Sequence, residues 1–370
     1  MQIREILSRY LHGYFEEVDR LGYGDLRRRQ RSLFASLAFG AAGIAYTQWY
    51  AGHVLNEPER FETANRWINS ALRAQHGLLA FVGPGEGTMP SCAVLYGRAG
   101  LHFVHALIAN AKGARRTQYA AIRRFLEVSR PSRNDPPDLF KGTAGSLAGA
   151  AILLRHTGDP RLLEAGAFLS HHLTRELGRQ GGSRVASNLG LAHGTAGLYL
   201  SLLLWMEATG TDLAQQVSCG VRDLLDSVLR EPVRLSPKEG DVYSWLCNGF
   251  AGMALLAVKA HQILKDPWFL SAAQRAAELS LAHPARLPDA CCGRAGTAFA
   301  CLALARQDPQ GLWRKRAEEL ALSALLVDRE DWRFTGLYGG EAGLACLALN
   351  LLAGIPSGLP CLDLIEWPRK

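Results

Sequence analysis

The 370-residue sequence has no apolar run that would cross a membrane, because its longest apolar stretches are rich in glycine and alanine and broken by polar residues. Its amino-terminal stretch, MQIREILSRYLHGYFEEVDR, is amphipathic and lacks the charged, apolar and small-residue order of a signal peptide. Although the net charge is +7, no basic patch is interleaved with aromatic residues, which argues against nucleic-acid binding. These absences predict a cytoplasmic protein without a transmembrane segment.

A disulfide framework is not expected either. Eight cysteines in a chain without a secretory signal argue against disulfide bonds. Five of them have bland surroundings and are predicted to be structural. Cys301 and Cys346, for example, fall within apolar runs, where a cysteine is usually a small buried hydrophobe. The other three of these five are Cys92, Cys219 and Cys361.

A four-residue phrase, Gly-x-Ala-Gly, recurs seven times along the chain, and its first glycines are 44 to 57 residues apart. The phrases are at 40–43, 97–100, 142–145, 194–197, 249–252, 293–296 and 340–343. Each one opens a run of small and apolar residues about as long as a buried helix. Because no linker-like stretch interrupts this repeat, it predicts one closed domain spanning residues 1–370.

Amphipathic stretches with charged faces alternate with the apolar runs and predict a second set of helices. Two of them begin with an acid followed by proline, Asp159-Pro160 and Asp266-Pro267, a helix-start signal. The stretches are 59–76, 114–129, 160–177, 212–229, 267–282 and 311–326, with a seventh, 1–20, that can pair with the last apolar run. The alternation predicts an all-α fold, an α/α toroid or double barrel of seven inner and seven outer helices. An open helical solenoid is the alternative, although neither end looks like a polar capping repeat.

Polar residues that precede the phrases are the candidate functional residues, because equivalent positions of seven repeats would meet at one rim of a ring. Asp138 lies four residues before the third phrase, and His193 lies immediately before the fourth. Cys247 lies two residues before the fifth phrase, and Cys291 and Cys292 lie directly before the sixth. The reactive side chains are therefore concentrated in four consecutive repeats.

Three thiolates at one rim suit a single zinc ion, which favours sulfur ligands and, with three protein ligands, keeps a fourth position open. Cys247, Cys291 and Cys292 are thus predicted to hold one Zn²⁺ per chain, and buried inert thiols are the alternative. His193 is a candidate for proton transfer beside the metal, against the alternative of a satisfied core histidine. Asp138 fits catalysis and helix capping equally well.

These residues resemble the LanC-like lanthionine synthetase cyclases, and the resemblance covers nearly the whole chain. Residues 190–197, GLAHGTAG, look like the family's G-x-A-H-G-x-x-G segment. Residues 245–249, WLCNG, are similar to its Trp-Cys-x-Gly segment, and residues 291–293, CCG, stand where the family usually has Cys-His-Gly. The family fold is an α/α toroid of seven inner and seven outer helices, which agrees with the helices counted above.

The resemblance implies that the three cysteines are zinc ligands, that His193 is an acid/base residue and that Asp138 is the catalytic aspartate. The sequence departs from the family pattern at two positions. Cys292 replaces the usual histidine ligand, a variation that some members share. Trp245 is one residue further from its cysteine than usual, so its role in lining a pocket stays open.

The activity that the resemblance implies is the formation of lanthionine and methyllanthionine rings. In that reaction a peptide cysteine thiol adds to dehydroalanine or dehydrobutyrine by Michael addition. One alternative is the addition of another thiol, such as glutathione, to dehydrated residues. A prenyltransferase on a helical barrel is a further alternative, which seven rather than six repeats disfavour. The non-enzyme alternative is a toroidal scaffold with structural zinc, for which no fourth protein ligand is clearly placed.

The implied partners are a dehydrated precursor peptide as substrate and a separate dehydratase, or kinase and lyase. Because 370 residues are too few to include those domains as well, the chain is expected to be a stand-alone lanthipeptide cyclase. The one dense basic cluster, Arg27, Arg28, Arg29 and Arg31, precedes the first phrase. Such a run is usually a solvated helix face, and the functional alternative is a dock for an acidic leader peptide.

Overall fold

The structure is a computed structural model, and it describes most of the chain. Outside the description lie residues 1–2, 30–32, 84–86, 181–187, 233–234, 236–240, 309, 328–335, 356–358 and 365–370. The described residues form fifteen α-helices, one pair of two-residue strands and a short 3-10 turn, Asp241–Ser244. None of the described helices combines the length and the apolar character needed to cross a membrane.

Seven helices begin within the seven phrases and form the inner layer. They are α3 (Ala41–Val54), α5 (Ala99–Ala111), α7 (Thr143–Thr157), α9 (Thr195–Thr209), α11 (Phe250–Leu264), α13 (Arg294–Ala305) and α15 (Glu341–Ala353). These helices are buried on nearly every side, as α3 shows, where every residue from 41 to 52 is buried. A helix that is apolar all round must lie inside a protein, so the composition of these runs determines their layer.

Seven amphipathic helices form the outer layer. They are α1 (Ile3–Arg20), α4 (Glu59–Ala74), α6 (Arg115–Val128), α8 (Arg161–Gln180), α10 (Ala214–Arg230), α12 (Pro267–Ala282) and α14 (Leu312–Leu325). Each buries one stripe; in α4 the buried residues, such as Ala64, Ile68 and Ala71, recur at helical spacing. The predicted N-cap of α12 is confirmed, because the Asp266 side chain accepts a hydrogen bond from the Trp268 N–H at 2.9 Å.

The predicted set of seven inner and seven outer helices is confirmed, with two small additions. The short helix α2 (Tyr23–Arg29) lies between α1 and α3 and contains part of the arginine cluster. Strands β1 (Val82–Gly83) and β2 (Gly87–Thr88) pair antiparallel between α4 and α5. Neither element has enough residues for a periodic pattern, which is why the repeat alone did not indicate them.

The first and last repeats are in contact, so the ring is closed. The Tyr10 hydroxyl of α1 donates a hydrogen bond to the Glu341 carbonyl of α15 at 3.3 Å. Thr47 of α3 donates to the Ala342 carbonyl at 3.2 Å, and the Tyr50 hydroxyl bonds the Asn350 side chain. These contacts join residues about three hundred positions apart and exclude the open solenoid.

In most of the phrases the second glycine lets neighbouring repeats approach closely. A Cβ atom on Gly197 would lie 2.2 Å from the Leu191 carbonyl oxygen and 2.7 Å from the Leu139 Cβ of the preceding repeat. At the closure, a Cβ on Gly43 would lie 2.9 Å from the backbone nitrogen of Leu337 in the last repeat. Contacts this short have no room for a side chain, so the glycine is required by packing.

A belt of backbone hydrogen bonds runs around the rim at the residues two positions before each phrase. The N–H to O=C links are Ala38 to Leu95 (2.9 Å), Phe140 to Ala192 (3.1 Å), Ala192 to Cys247 (2.8 Å), Cys247 to Cys291 (3.2 Å), Cys291 to Tyr338 (2.9 Å) and Tyr338 to Ala38 (2.8 Å). The belt joins the last repeat to the first and places all seven phrases at one rim. Residues at equivalent positions therefore face one axis, as the repeat predicts.

Candidate metal centre

Three cysteines from two adjacent repeats meet at this rim. The Sγ atoms of Cys247, Cys291 and Cys292 all lie within 4.8 Å of one another. Cys292 Sγ is 3.5 Å from Cys247 Sγ and 3.5 Å from Cys291 Sγ. No other group of three His, Cys, Asp or Glu side chains in the described part of the chain comes together in this way.

The three sulfurs fit a zinc ion. A tetrahedral site with Zn–S bonds of about 2.3 Å separates its sulfurs by roughly 3.8 Å, close to the spacing of these thiols. Thiolate is also the ligand type that selects zinc over magnesium or calcium. All eight cysteines are free, and Cys247 is buried while Cys291 and Cys292 are partly exposed. The donor set is therefore suitable for one thiophilic cation, which would have access from the side on which Cys291 and Cys292 are partly exposed.

Hydrogen bonds within the cluster shift the pKa values of the thiols in opposite directions. The Cys291 and Cys292 thiols bond the Cys247 sulfur and hold the pKa of Cys247 well below its usual value. The hydrogen bond to Cys247 in turn raises the pKa of Cys291, and burial adds to that rise. Three thiolates at this place would require a cation to balance the buried negative charge.

Asp289 holds the two adjacent cysteines in place. Its Oδ1 accepts hydrogen bonds from the Cys291 N–H at 2.9 Å and the Cys292 N–H at 2.8 Å, which turns both residues toward Cys247. The carboxyl is buried, and burial raises the pKa of Asp289 to about 6. Sequence reasoning missed this residue, although an aspartate two and three positions before the bonded N–H groups is a recognisable Asx-turn pattern.

His193 and Asp138 are paired beside the cysteines. His193 Nδ1 lies 3.4 Å from Asp138 Oδ2, and both side chains are partly shielded from solvent. Asp138 Oδ1 accepts a hydrogen bond from the Lys141 N–H at 2.5 Å. Since Gly142, not Asp138, is the N-cap of α7, the aspartate stabilises the preceding turn and faces the histidine at the same time. The helix-capping alternative for Asp138 is therefore wrong, and its catalytic role stays a prediction.

An aromatic wall surrounds the histidine. The ring centroid of His193 is 5.7 Å from that of Phe140 and 6.2 Å from that of Tyr96, and Phe39 packs 5.4 Å from Tyr96. The Lys141 ammonium lies 5.9 Å from the Tyr96 ring. Phe39, Tyr96 and Lys141 immediately precede their phrases, so the position that identified His193 also indicated this wall.

The remaining sequence candidates lie outside this cluster. Cys92, Cys301, Cys346 and Cys361 are buried, whereas Cys219 is exposed on α10. Trp245 is half-buried and its Nε1 has no hydrogen-bond partner among the described residues.

The structure describes only part of the arginine cluster. Arg27 lies over the Phe34 ring at 5.2 Å, and Arg28 forms an ion pair with Asp25. Both side chains are exposed on α2. Arg31 and the side chain of Arg29 lie outside the described residues. Leader docking by this cluster stays a prediction.

The fold and the site together define a closed α/α toroid with a three-thiol centre and a histidine–aspartate pair at one rim. The family described as lanthionine synthetase C-like protein matches residues 32–364. The chain therefore belongs to the lanthionine synthetase C-like family, as its motifs predicted.

The solved structures support the same fold. Fifteen chains among them match, one of which is nisin cyclase, with a TM-score of 0.69 and 14% sequence identity. The likeness covers 96% of this chain and 95% of nisin cyclase. No curated protein matches the sequence. At this identity the likeness establishes the toroid and leaves the chemistry to be argued from the site.

Proposed function

We propose that this protein is a lanthipeptide cyclase that forms thioether rings in a dehydrated peptide. The observation that carries the proposal is the meeting of three cysteine sulfurs and a histidine–aspartate pair at one rim of the toroid. Family membership supports the same activity. The reaction joins a peptide cysteine to a dehydroalanine or dehydrobutyrine of the same chain.

Cys247, Cys291 and Cys292 would hold one zinc ion, which would supply ionisation of a substrate thiol at neutral pH. Three protein ligands leave room for that thiol as the fourth. Asp289 contributes by fixing the backbone of Cys291 and Cys292, so the three sulfurs stay preorganised. Such support of ligating side chains is a general requirement of metal sites.

Proton transfer is assigned to His193. In the addition, the substrate sulfur forms a bond to the β-carbon, and the π electrons of the double bond move toward the carbonyl oxygen. The α-carbon then takes a proton, which His193 donates from Nε2. The proton released by the substrate thiol restores the imidazole, so the step is balanced. Asp138, 3.4 Å from Nδ1, orients the ring and stabilises its charged form.

The substrate in this proposal has already been dehydrated by a separate dehydratase, or by a kinase and lyase. The aromatic wall of Phe39, Tyr96 and Phe140 offers an apolar surface for the flat dehydroamino acid beside the histidine. Apolar walls with a few convergent polar groups are typical of sites that bind small parts of a substrate.

The test uses a short synthetic peptide with one dehydroalanine and one cysteine, incubated with the zinc-loaded protein. We expect the peptide mass to stay unchanged while its alkylatable thiol disappears, which marks ring closure. Cys247→Ala should abolish this change, whereas the exposed Cys219→Ala is the matched control and should retain it.

Two outcomes would contradict the proposal. Addition of glutathione, with the corresponding increase in mass and no loss of the peptide thiol, would assign an intermolecular reaction. Absence of both products in a protein with bound zinc would indicate a scaffold.

A further inference from the structure

The carboxy-terminal segment 359–364 lies inside the toroid. Leu359, Cys361, Leu362 and Leu364 are all buried, and none of them belongs to a helix. Leu359, Leu362 and Asp363 line a void of only about 20 Å³ together with side chains of α9, α11 and α13, which include Leu200, Leu255 and Phe299. The segment therefore fills space between the inner helices that would otherwise be a larger cavity.

A buried ion pair fastens this segment to the inner layer. Lys259 of α11 donates a hydrogen bond to Asp363 Oδ1 at 2.8 Å and a second to Glu207 Oε2 of α9 at 2.9 Å. Lys259 is 5% exposed and Asp363 is 9% exposed. Removing one partner of a buried pair leaves an uncompensated charge, so Asp363 resists displacement as long as Lys259 is charged.

Tyr338 connects the segment to the rim. Its hydroxyl donates a hydrogen bond of 2.6 Å to the Pro360 carbonyl, and the side chain is fully buried. Its backbone carbonyl accepts a hydrogen bond from the Cys291 N–H at 2.9 Å, and Asp289 Oδ1 shares that N–H. Its ring packs 5.1 Å from Phe140, which in turn packs 5.7 Å from His193. Tyr338 thus contacts the inserted segment, the backbone of Cys291 and the Phe140 ring that packs against His193.

We propose that Tyr338 is a positioning residue and that the inserted segment 359–364 holds its side chain in place. The segment fixes the Tyr338 hydroxyl, and Tyr338 fixes the backbone of Cys291 and the ring of Phe140. Tyr338 occupies the same position before its phrase as Cys247 and Cys291, but its side chain is directed to the segment and not to the sulfurs. The consequence for catalysis rests on the proposed function, whereas the positioning itself does not.

Two variants test the contact of Asp363 with Lys259 and the contact of the Tyr338 hydroxyl with the segment separately. Asp363→Asn removes the charge that holds the segment and leaves Lys259 paired with Glu207. Tyr338→Phe removes the hydroxyl and keeps the ring. Asp226→Asn is the matched control, because Asp226 forms an ion pair with Arg230 that is exposed on α10.

The first measurement uses the metal-free protein and needs no substrate. Amide hydrogen exchange reports on residues 359–364, and the rate of iodoacetamide alkylation reports on each cysteine. We expect faster exchange in Asp363→Asn and faster alkylation of Cys291 in both variants, by about threefold to tenfold, the range that one lost hydrogen bond supplies. Cys301, buried in α13, should react as in the parent protein.

The second measurement follows ring closure with zinc bound. Tyr338→Phe should lower kcat while KM stays unchanged, because Tyr338 is placed beneath the site and not in contact with substrate. Asp226→Asn should match the parent protein in every readout. Unchanged exchange in Asp363→Asn, or unchanged Cys291 alkylation in Tyr338→Phe, would overturn the positioning role. If the variants show both changes but the parent protein with bound zinc closes no ring, the proposed function alone would be overturned.

Discussion

At the scale of single residues, the functional side chains of the site are held in place by their neighbours. The His193 ring has Asp138 on one side and Phe140 and Tyr96 around it, so its orientation is determined by three other residues. The cysteines likewise depend on Asp289 for their backbone and on one another for their ionisation. Preorganisation of this kind reduces the reorganisation that a reaction requires.

Removal of the histidine tests the assignment of proton transfer. His193→Ala should lower the rate of ring closure by about 10²–10⁴-fold, the range typical of a lost general acid. Zinc content, measured by elemental analysis, should stay the same because the histidine is not among the three proposed ligands. Asp138→Asn should also lower the rate, since it disturbs the ring orientation. Near-normal turnover of His193→Ala at full zinc content would remove the histidine from the mechanism.

A buried histidine outside the site makes the stability of the fold depend on pH. His102 of α5 is 8% exposed, and burial lowers its pKa from 6.5 to about 4. The unfolded chain therefore takes up a proton at higher pH than the folded chain does. Stability is fully present above pH 6.5 and is lost as the pH falls toward 4, by roughly 3 kcal/mol for this group.

His102→Gln should remove that pH-dependent part of the stability. Urea unfolding at pH 7 and pH 4.5 is the measurement, and the difference between the two free energies should be smaller in the variant. His12→Gln is the control for the loss of one imidazole, since the His12 side chain is exposed on α1. An equal loss of stability in His102→Gln and the parent protein would show that the histidine is solvated in the fold.

At the scale of elements, helix packing decides where glycine is required. Gly197, in the first turn of α9, lies against the Leu191 carbonyl and the Leu139 side chain, with no room for a Cβ. Gly178 lies in the exposed outer helix α8, and a Cβ there would have no atom within 4 Å. The same residue type is thus needed for contact in one helix and is only a source of chain entropy in the other.

Alanine at these two positions should have opposite effects. Gly197→Ala should destabilise the protein by about 2–4 kcal/mol, because the two adjacent repeats must move apart. Gly178→Ala should stabilise it by about 0.5–1 kcal/mol, since alanine is the better helix former. Chemical denaturation of both variants measures the two values. A small effect of Gly197→Ala would show that the contact between repeats can relax.

At the scale of the whole molecule, closure makes the rim a single unit. The belt of backbone hydrogen bonds runs through Cys247, Cys291 and Tyr338 and returns to Ala38. The cysteines proposed to bind zinc therefore also belong to the structure that closes the ring. Binding at this place should stabilise the complete toroid and not only a local loop.

Metal removal tests this coupling. Chelation of zinc should lower the melting temperature, because an ion at 1,000 times its Kd contributes about 4 kcal/mol to the folded state. The double variant Cys247→Ala, Cys291→Ala should bind no zinc and should melt at a temperature that chelator does not change. Calorimetry with and without chelator is the measurement. Stoichiometric zinc in the double variant would place the metal elsewhere.

The sequence by itself determined the architecture. Seven phrases, each followed by an apolar run and separated by amphipathic stretches, specify inner and outer helices because burial follows local hydrophobic periodicity. Equivalent positions in a repeat share a rim. The sequence alone therefore predicts that Cys247, Cys291, Cys292 and His193 lie close together. Short elements without a period, such as α2, were not accessible in this way.

Only the tertiary structure decided which side chains touch. The orientation of Asp138 toward His193 and the insertion of residues 359–364 depend on the curvature of the closed ring. Those contacts join parts of the chain whose local sequences have no common pattern. Whether a tail enters the toroid depends on the volume that the inner side chains leave, and that volume exists only after all seven repeats have packed.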